Sequence, residues 1–223
     1  MKTIKINNPD KVNLKTIEAI ASAITNGKIV ILPTATIYGV SCAYNNRKAL
    51  QKVREIKKRD TSLPFIILIS KLSTLNNLVG NISQPAKTLI GRCWDTENQS
   101  PLTIIFEKNK SLNSFITSRS KKIAIRRAGL KFIRQVIDIS GPIISTSANI
   151  SGRGADPATV DAVPVKIRTN ADLIVSCRNM LPGTVSTIID ASGINPVIVR
   201  EGKIKRSKIQ EILNTKGSII AEY

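Results

Sequence analysis

The chain has 223 residues, 42% of them hydrophobic, and a formal net charge of +19 from 34 Lys and Arg against 15 Asp and Glu. That length supports one large domain or two small ones with a substantial core, and the charge attracts polyanions such as nucleotides and RNA, although a lysine-rich surface with no such partner has the same signature. Histidine is absent altogether, which excludes imidazole bases, Ser-His-Asp triads and His-ligated metals and leaves Lys, Arg, hydroxyls, backbone amides or a hard metal for any catalysis.

The first segment, "MKTIKINNPDK", has no apolar core of signal-peptide length, and no apolar run reaches the ~18 residues of a membrane helix. Cys42, Cys93 and Cys177 lie far apart without CxxC spacing. These features predict a cytoplasmic protein without membrane contact, its thiols buried in the core. "LKTIEAIASAITNGK" places Ile17, Ile20, Ala21 and Ile24 at helical spacing and closes on Gly27. The strand "KIVILPT" follows, then a turn at Asn45 and Asn46 and the helix "RKALQKVREIKKR", which aligns Ala49, Val53 and Ile56. "LPFIILIS" reads as a strand, and "SQPAKTLIGRCW" as a helix with a serine cap and an early proline. Further strands are expected at "LTIIFEK", "KIAIRR", "PIISTS", "DLIVS", "STIID" and "PVIVREG", with helices at "KFIRQVIDI" and "SKIQEILN". With no repeat, low-complexity tract or flexible linker, the pattern predicts one α/β domain over residues 1–223, a twisted mixed sheet with flanking helices.

Neither a P-loop nor a dinucleotide fingerprint occurs, and one Trp, three Tyr and four Phe are too few for a base-stacking platform. Four stretches carry the chemistry. In "LPTATIYGVSC" a buried strand breaks at Pro33 into Thr34, Thr36, Tyr38 and Gly39, either an ordinary β-turn with locally satisfied hydroxyls or a cradle for a small polar ligand. In "IKKRD" Lys57 and Arg59 end a helix, as the macrodipole alone favours, or clamp phosphates. In "IAIRRAG" Arg126 shares a sheet face with Ala124, where an arginine needs an anionic partner, while Arg127 is expected to point at solvent. "PIISTSANISG" ends a buried strand in Ser145, Thr146, Ser147 and Asn149, with Gly152 permitting close backbone approach. "NISGRGADPAT" is the most loop-like segment, of the kind that binds ligands after a strand.

These stretches, together with "PLTIIF" and "STIID…VIVREG", resemble in order and spacing the YrdC-type L-threonylcarbamoyl-adenylate synthases, from about Lys15 to Lys205. The resemblance implies a short single-domain YrdC-like fold with its ligand site in a concave basic face. It implies formation of threonylcarbamoyl-AMP and pyrophosphate from L-threonine, bicarbonate and ATP, with Mg²⁺ carried on the nucleotide. Other tRNA threonylcarbamoylation proteins would be partners, and tRNA a further one. Carried onto this chain, Lys57, Arg59, Ser147, Asn149, Ser186 and Arg200 would bind ATP, while Thr34, Arg126 and Thr146 would hold threonine. The chain departs from the family pattern at Ala35, where glutamate is usual, at Asp60, Leu63 and Arg127, and in the insert "DTENQS" after Trp94. The charge and Ala35 support a second reading, a non-catalytic RNA-binding member of the same fold.

Overall fold

Strand-sized apolar runs alternating with amphipathic helices assemble into one 10-stranded sheet. The computed structural model describes residues 2–94, 101–152 and 155–213. Its elements run β1 (Lys2–Ile6), α1 (Leu14–Thr25), β2 (Val30–Pro33), β3 (Tyr38–Ala43), α2 (Arg47–Lys57) and β4 (Ile66–Ile69). A 3-10 turn (Leu72–Thr74) leads to α3 (Leu75–Leu78), α4 (Gln84–Cys93), β5 (Leu102–Glu107), β6 (Lys122–Arg127), α5 (Lys131–Ser140) and β7 (Ile143–Ser147). The remainder is α6 (Val165–Thr169), β8 (Leu173–Cys177), β9 (Thr187–Asp190), β10 (Val197–Arg200) and α7 (Arg206–Leu213). The insert after Trp94 lies outside the described residues.

The helices start where their caps are. Asn13, Asn46 and Ser83 each accept a first-turn backbone N–H, opening α1, α2 and α4. Gly27, at φ +73°, takes the left-handed conformation just beyond α1. The buried face of α1 is Ile17, Ile20, Ala21 and Ile24, as its spacing predicts, and it packs against α5. All three cysteines are free and buried, and burial pushes the Cys42 thiol up to about 12, so it is an inert core group.

The sheet order is β1-β8-β2-β3-β7-β4-β6-β5-β9-β10, mixed as expected. β4 and β6 run parallel, whereas β7 pairs antiparallel with both β3 and β4. Two strands escaped the sequence reading. β1 is an edge strand whose lysines stay in water, a device that discourages edge-to-edge pairing. β3, "YGVSCA", is fully buried between β2 and β7 although glycine and serine are poor strand formers, because tertiary pairing overrides propensity. Among the described residues no helix is long and apolar enough to cross a membrane.

Candidate active site

Register across the middle strands builds the floor of a cavity. Ile66 of β4 pairs with Ala124 of β6, which pairs in turn with Ile105 of β5, giving one apolar row. Above it lies a cavity of about 310 Å³ whose polar wall contains Thr34, Thr36, Arg59, Arg126, Thr146, Ser147, Ser186 and Arg200. Of the nine predicted site residues, seven line this space, and the other two, Lys57 and Asn149, are bonded to each other at the end of β7. No described residue of the segment after β7 lines it, and the cavity lies over a sheet face instead.

The β2–β3 turn satisfies its threonine hydroxyls locally, as the β-turn reading expects. Thr34 Oγ1 donates to Ile37 O at 2.7 Å, so Thr36 Oγ1 supplies the proton in the 2.9 Å contact between the two hydroxyls. Thr36 Oγ1 accepts from Arg126 Nη1 at 3.3 Å. The result is an oriented relay from guanidinium to backbone carbonyl, and the turn that satisfies itself also lines the cavity.

Arg126 is 9% exposed and shares its face with Ala124, as the strand alternation predicts. Thr36 is its hydrogen-bond partner among the described residues, and no carboxylate there forms an ion pair with it. Burial, and then the nearby Arg200 charge, lowers its pKa to about 10. A buried guanidinium without an anion is costly, which makes Arg126 a candidate functional group. Arg127 corrects the sequence reading. It donates to Ser70 O at 3.1 Å and to Trp94 O, fastening β4 and the end of α4 rather than pointing at solvent.

The helix terminus at "IKKRD" is also not the exposed segment that its charge suggests. Lys58 takes a left-handed conformation, φ +50°, which ends α2 and turns Arg59 toward the cavity. Lys57 is 1% exposed, and its ammonium donates to Ser147 O, to Asn149 O at 2.5 Å and to Asn149 Oδ1 at 3.2 Å. Three N–H bonds meet three acceptors, so Lys57 clasps the β7 turn from behind. Burial, then repulsion from Arg59, lowers its pKa to about 8. Ser147 Oγ donates to the same Asn149 Oδ1 at 2.7 Å, and Asn149 Nδ2 donates to Asp156 at 3.2 Å, which fixes the amide's orientation. Sequence reasoning missed Asp156, which sits in the loop-like stretch without a motif. On the opposite wall Arg200 holds Ser186 O with Nε and Nη2, at 3.2 and 2.9 Å, and Ser186 Oγ contacts Thr103 Oγ1 at 2.9 Å.

Gly39 sets how closely β3 approaches β7. A Cβ there would collide with Ser145 Oγ and reach within 3.6 Å of Thr34 Cγ2. Gly39→Ala is therefore expected to lower stability by about 1–3 kcal/mol through overpacking and to weaken ligand binding. Adding Ser145→Ala should restore much of the loss, which thermal melts of the single and double variants would test.

These features define a mixed sheet that carries on one face a cavity walled by arginines and hydroxyls. The chain matches the Sua5/YciO/YrdC family model, described as telomere recombination, over residues 22–202, and it belongs to that family. It is 29% identical over 95% of its length to a threonylcarbamoyl-AMP synthase of Pyrococcus abyssi, and 30% identical over 86% to one of Bacillus subtilis. It spans 61% and 55% of those two relatives. A Pyrococcus abyssi Sua5 structure complexed with L-threonine superposes with TM-score 0.86 at 27% identity, covering 95% of this chain and 61% of that one. Escherichia coli YciO shares the fold, TM-score 0.80 at 21% identity, over 94% of this chain and all of YciO.

Proposed function

We propose that this chain is an L-threonylcarbamoyladenylate synthase, which forms threonylcarbamoyl-AMP and pyrophosphate from L-threonine, bicarbonate and ATP. The observation that carries it is Arg126, a buried guanidinium without an anion, in a cavity also lined by Thr34, Thr146, Arg59 and Arg200. Arg126 receives the threonine carboxylate, and the hydroxyls of Thr34 and Thr146 lie on the same wall to meet its polar groups. The threonine amine attacks bicarbonate and water leaves. An oxygen of the resulting carbamate attacks the α-phosphorus, and the bond to the β-phosphate breaks with its electron pair departing on pyrophosphate. Such a sequence needs positioning and fixed positive charge more than a dedicated acid, which suits a chain without histidine. Arg59 and Arg200 face the growing phosphate charge, while Lys57 acts through the Ser147–Asn149 turn that it holds.

Among the described residues no three metal-ligating side chains cluster, and Asp156 presents one carboxylate beside Asn149. This donor set suits Mg²⁺ held mainly by ATP oxygens and water, with Asp156 as a protein ligand, and not a resident cage. Such an ion would neutralise phosphate charge. The product would serve proteins that modify tRNA in the cytoplasm. Purified protein incubated with ATP, labelled bicarbonate and threonine should yield the mixed anhydride, and pyrophosphate only when all three are present. Pyrophosphate release that ignores threonine would overturn this reading.

A further inference from the structure

A second concavity, about 950 Å³, lies between α2 and the segment that joins β5 to β6. Its wall carries Arg47, Arg54, Arg59 and Arg119 against the single carboxylate of Glu55, which accepts a hydrogen bond from Gln51 at 3.2 Å. Arg47 and Arg119 are exposed and form no ion pair with a described carboxylate. Arg47 lies over the Phe115 ring at 5.0 Å, which holds its guanidinium at the groove. Arg54 is stacked on Phe65 and ties the loop after α2 to Ser118, donating to Asp60 O at 2.8 Å and Ser118 Oγ at 2.6 Å. The opposite wall is built with strain, since Ser118 and Arg119 are consecutive non-glycine residues in the left-handed region, φ +55° and +64°. Backbone outliers of this kind persist where a function or a dense network holds them.

Arg59 lines both this groove and the 310 Å³ cavity. Its Nη2 donates to Pro64 O at 2.8 Å, while its Nε is buried with no partner among the described residues. One arginine with a spare donor thus joins a small site for reacting groups to a larger, strongly cationic channel.

We propose that this groove is a diphosphate-binding site that receives the phosphate chain extending from the cavity past Arg59, with Arg47 and Arg119 as its outer anchors. Its occupant is a diphosphate group, either the released pyrophosphate or the β,γ end of a bound nucleoside triphosphate. The link to the reaction rests on the synthase reading, whereas the site itself is testable without turnover. Guanidiniums in this arrangement suit phosphate through paired N–H donors.

The test is calorimetric titration of the chain, at low salt, with inorganic pyrophosphate, a non-hydrolysable ATP analogue, AMP, L-threonine and a single-stranded RNA oligonucleotide. Arg47→Ala/Arg119→Ala should weaken pyrophosphate by about tenfold or more, the loss of charge-assisted contacts. It should leave AMP and threonine unchanged. Loss for pyrophosphate alone assigns the groove to the leaving group, and equal loss for the ATP analogue assigns it to the triphosphate tail. A control, Lys15→Ala/Lys28→Ala, removes the same charge from exposed sites elsewhere. An equal fall in the control would reduce the effect to net charge and overturn the proposal. So would unchanged pyrophosphate affinity in the groove variant, including the case where only a single-stranded RNA oligonucleotide binds more weakly. Pyrophosphate binding that needs Arg47 and Arg119 in a protein forming no adenylate would sink the synthase reading and leave the groove standing.

Discussion

Arg126→Ala should abolish threonine binding while the protein melts no earlier than the parent. Removing one member of a buried, hydrogen-bonded charge pair weakens binding by about 2–5 kcal/mol, roughly thirtyfold to several-thousandfold. The folded chain loses little in exchange, because Arg126 has no ion-pair partner among the described residues and its burial already depresses its pKa. An ordinary structural arginine would behave in the opposite way, with a lower melting temperature and intact ligand binding. Arg126→Lys should rescue poorly, since a point charge cannot reproduce a two-pronged donor. ATP binding should largely survive, because Arg59, Ser186 and Arg200 remain on the other walls. Titration of threonine and ATP into the variant, beside a thermal melt, reads all three expectations; unchanged threonine affinity would reassign Arg126 to the phosphates or to the fold.

That Arg126 was legible in the sequence follows from strand periodicity. "KIAIRR" alternates, so the face shared by Ala124 and Arg126 could be read before the cavity over it was known. The helices were legible for the same reason, from 3.6-residue spacing and from caps such as Asn46 and Ser83. Less legible was whatever depends on partners distant in the chain. β3 reads as a broken turn because its glycine and hydroxyls oppose strand propensity, and only pairing with β2 and β7 makes it a central strand. Arg127 shares its motif with Arg126, but its acceptors come from β4 and the end of α4, which no local pattern announces. Asp156 carries no motif at all, and its role emerges from the single amide that it orients. Lys57 illustrates the limit best: a lysine at a helix end is ordinarily solvated, and the burial that makes this one informative comes from strand β7, ninety residues on.

Lys57 gives the second large effect, and its pH dependence has two parts of opposite sign. In the folded protein its pKa falls to about 8 from an ordinary 10.5, chiefly through burial. Between those values the unfolded chain binds the proton and the folded one does not, so this group's contribution to stability rises with pH across the window. Activity should move the other way. Above about pH 8 the ammonium that donates to Ser147 O, Asn149 O and Asn149 Oδ1 loses a proton, the turn is held less firmly, and one positive charge behind the proposed phosphate site disappears. ATP use should therefore decline on the alkaline side while the melting temperature does not fall on this group's account. Lys57→Met fills the space without charge. It should weaken ATP use at neutral pH, through the loosened Ser147–Asn149 turn and the lost charge behind it, and erase the alkaline decline. Both variants leave the buried acceptors without their donor and should lower stability by about 1–3 kcal/mol, and Lys57→Ala should lower it further through the cavity it leaves. A pH–rate profile for parent and Lys57→Met, paired with melts at pH 7 and pH 9.5, separates the two parts; an alkaline limb that persists in Lys57→Met would place the titrating group elsewhere and return Lys57 to a purely structural clasp.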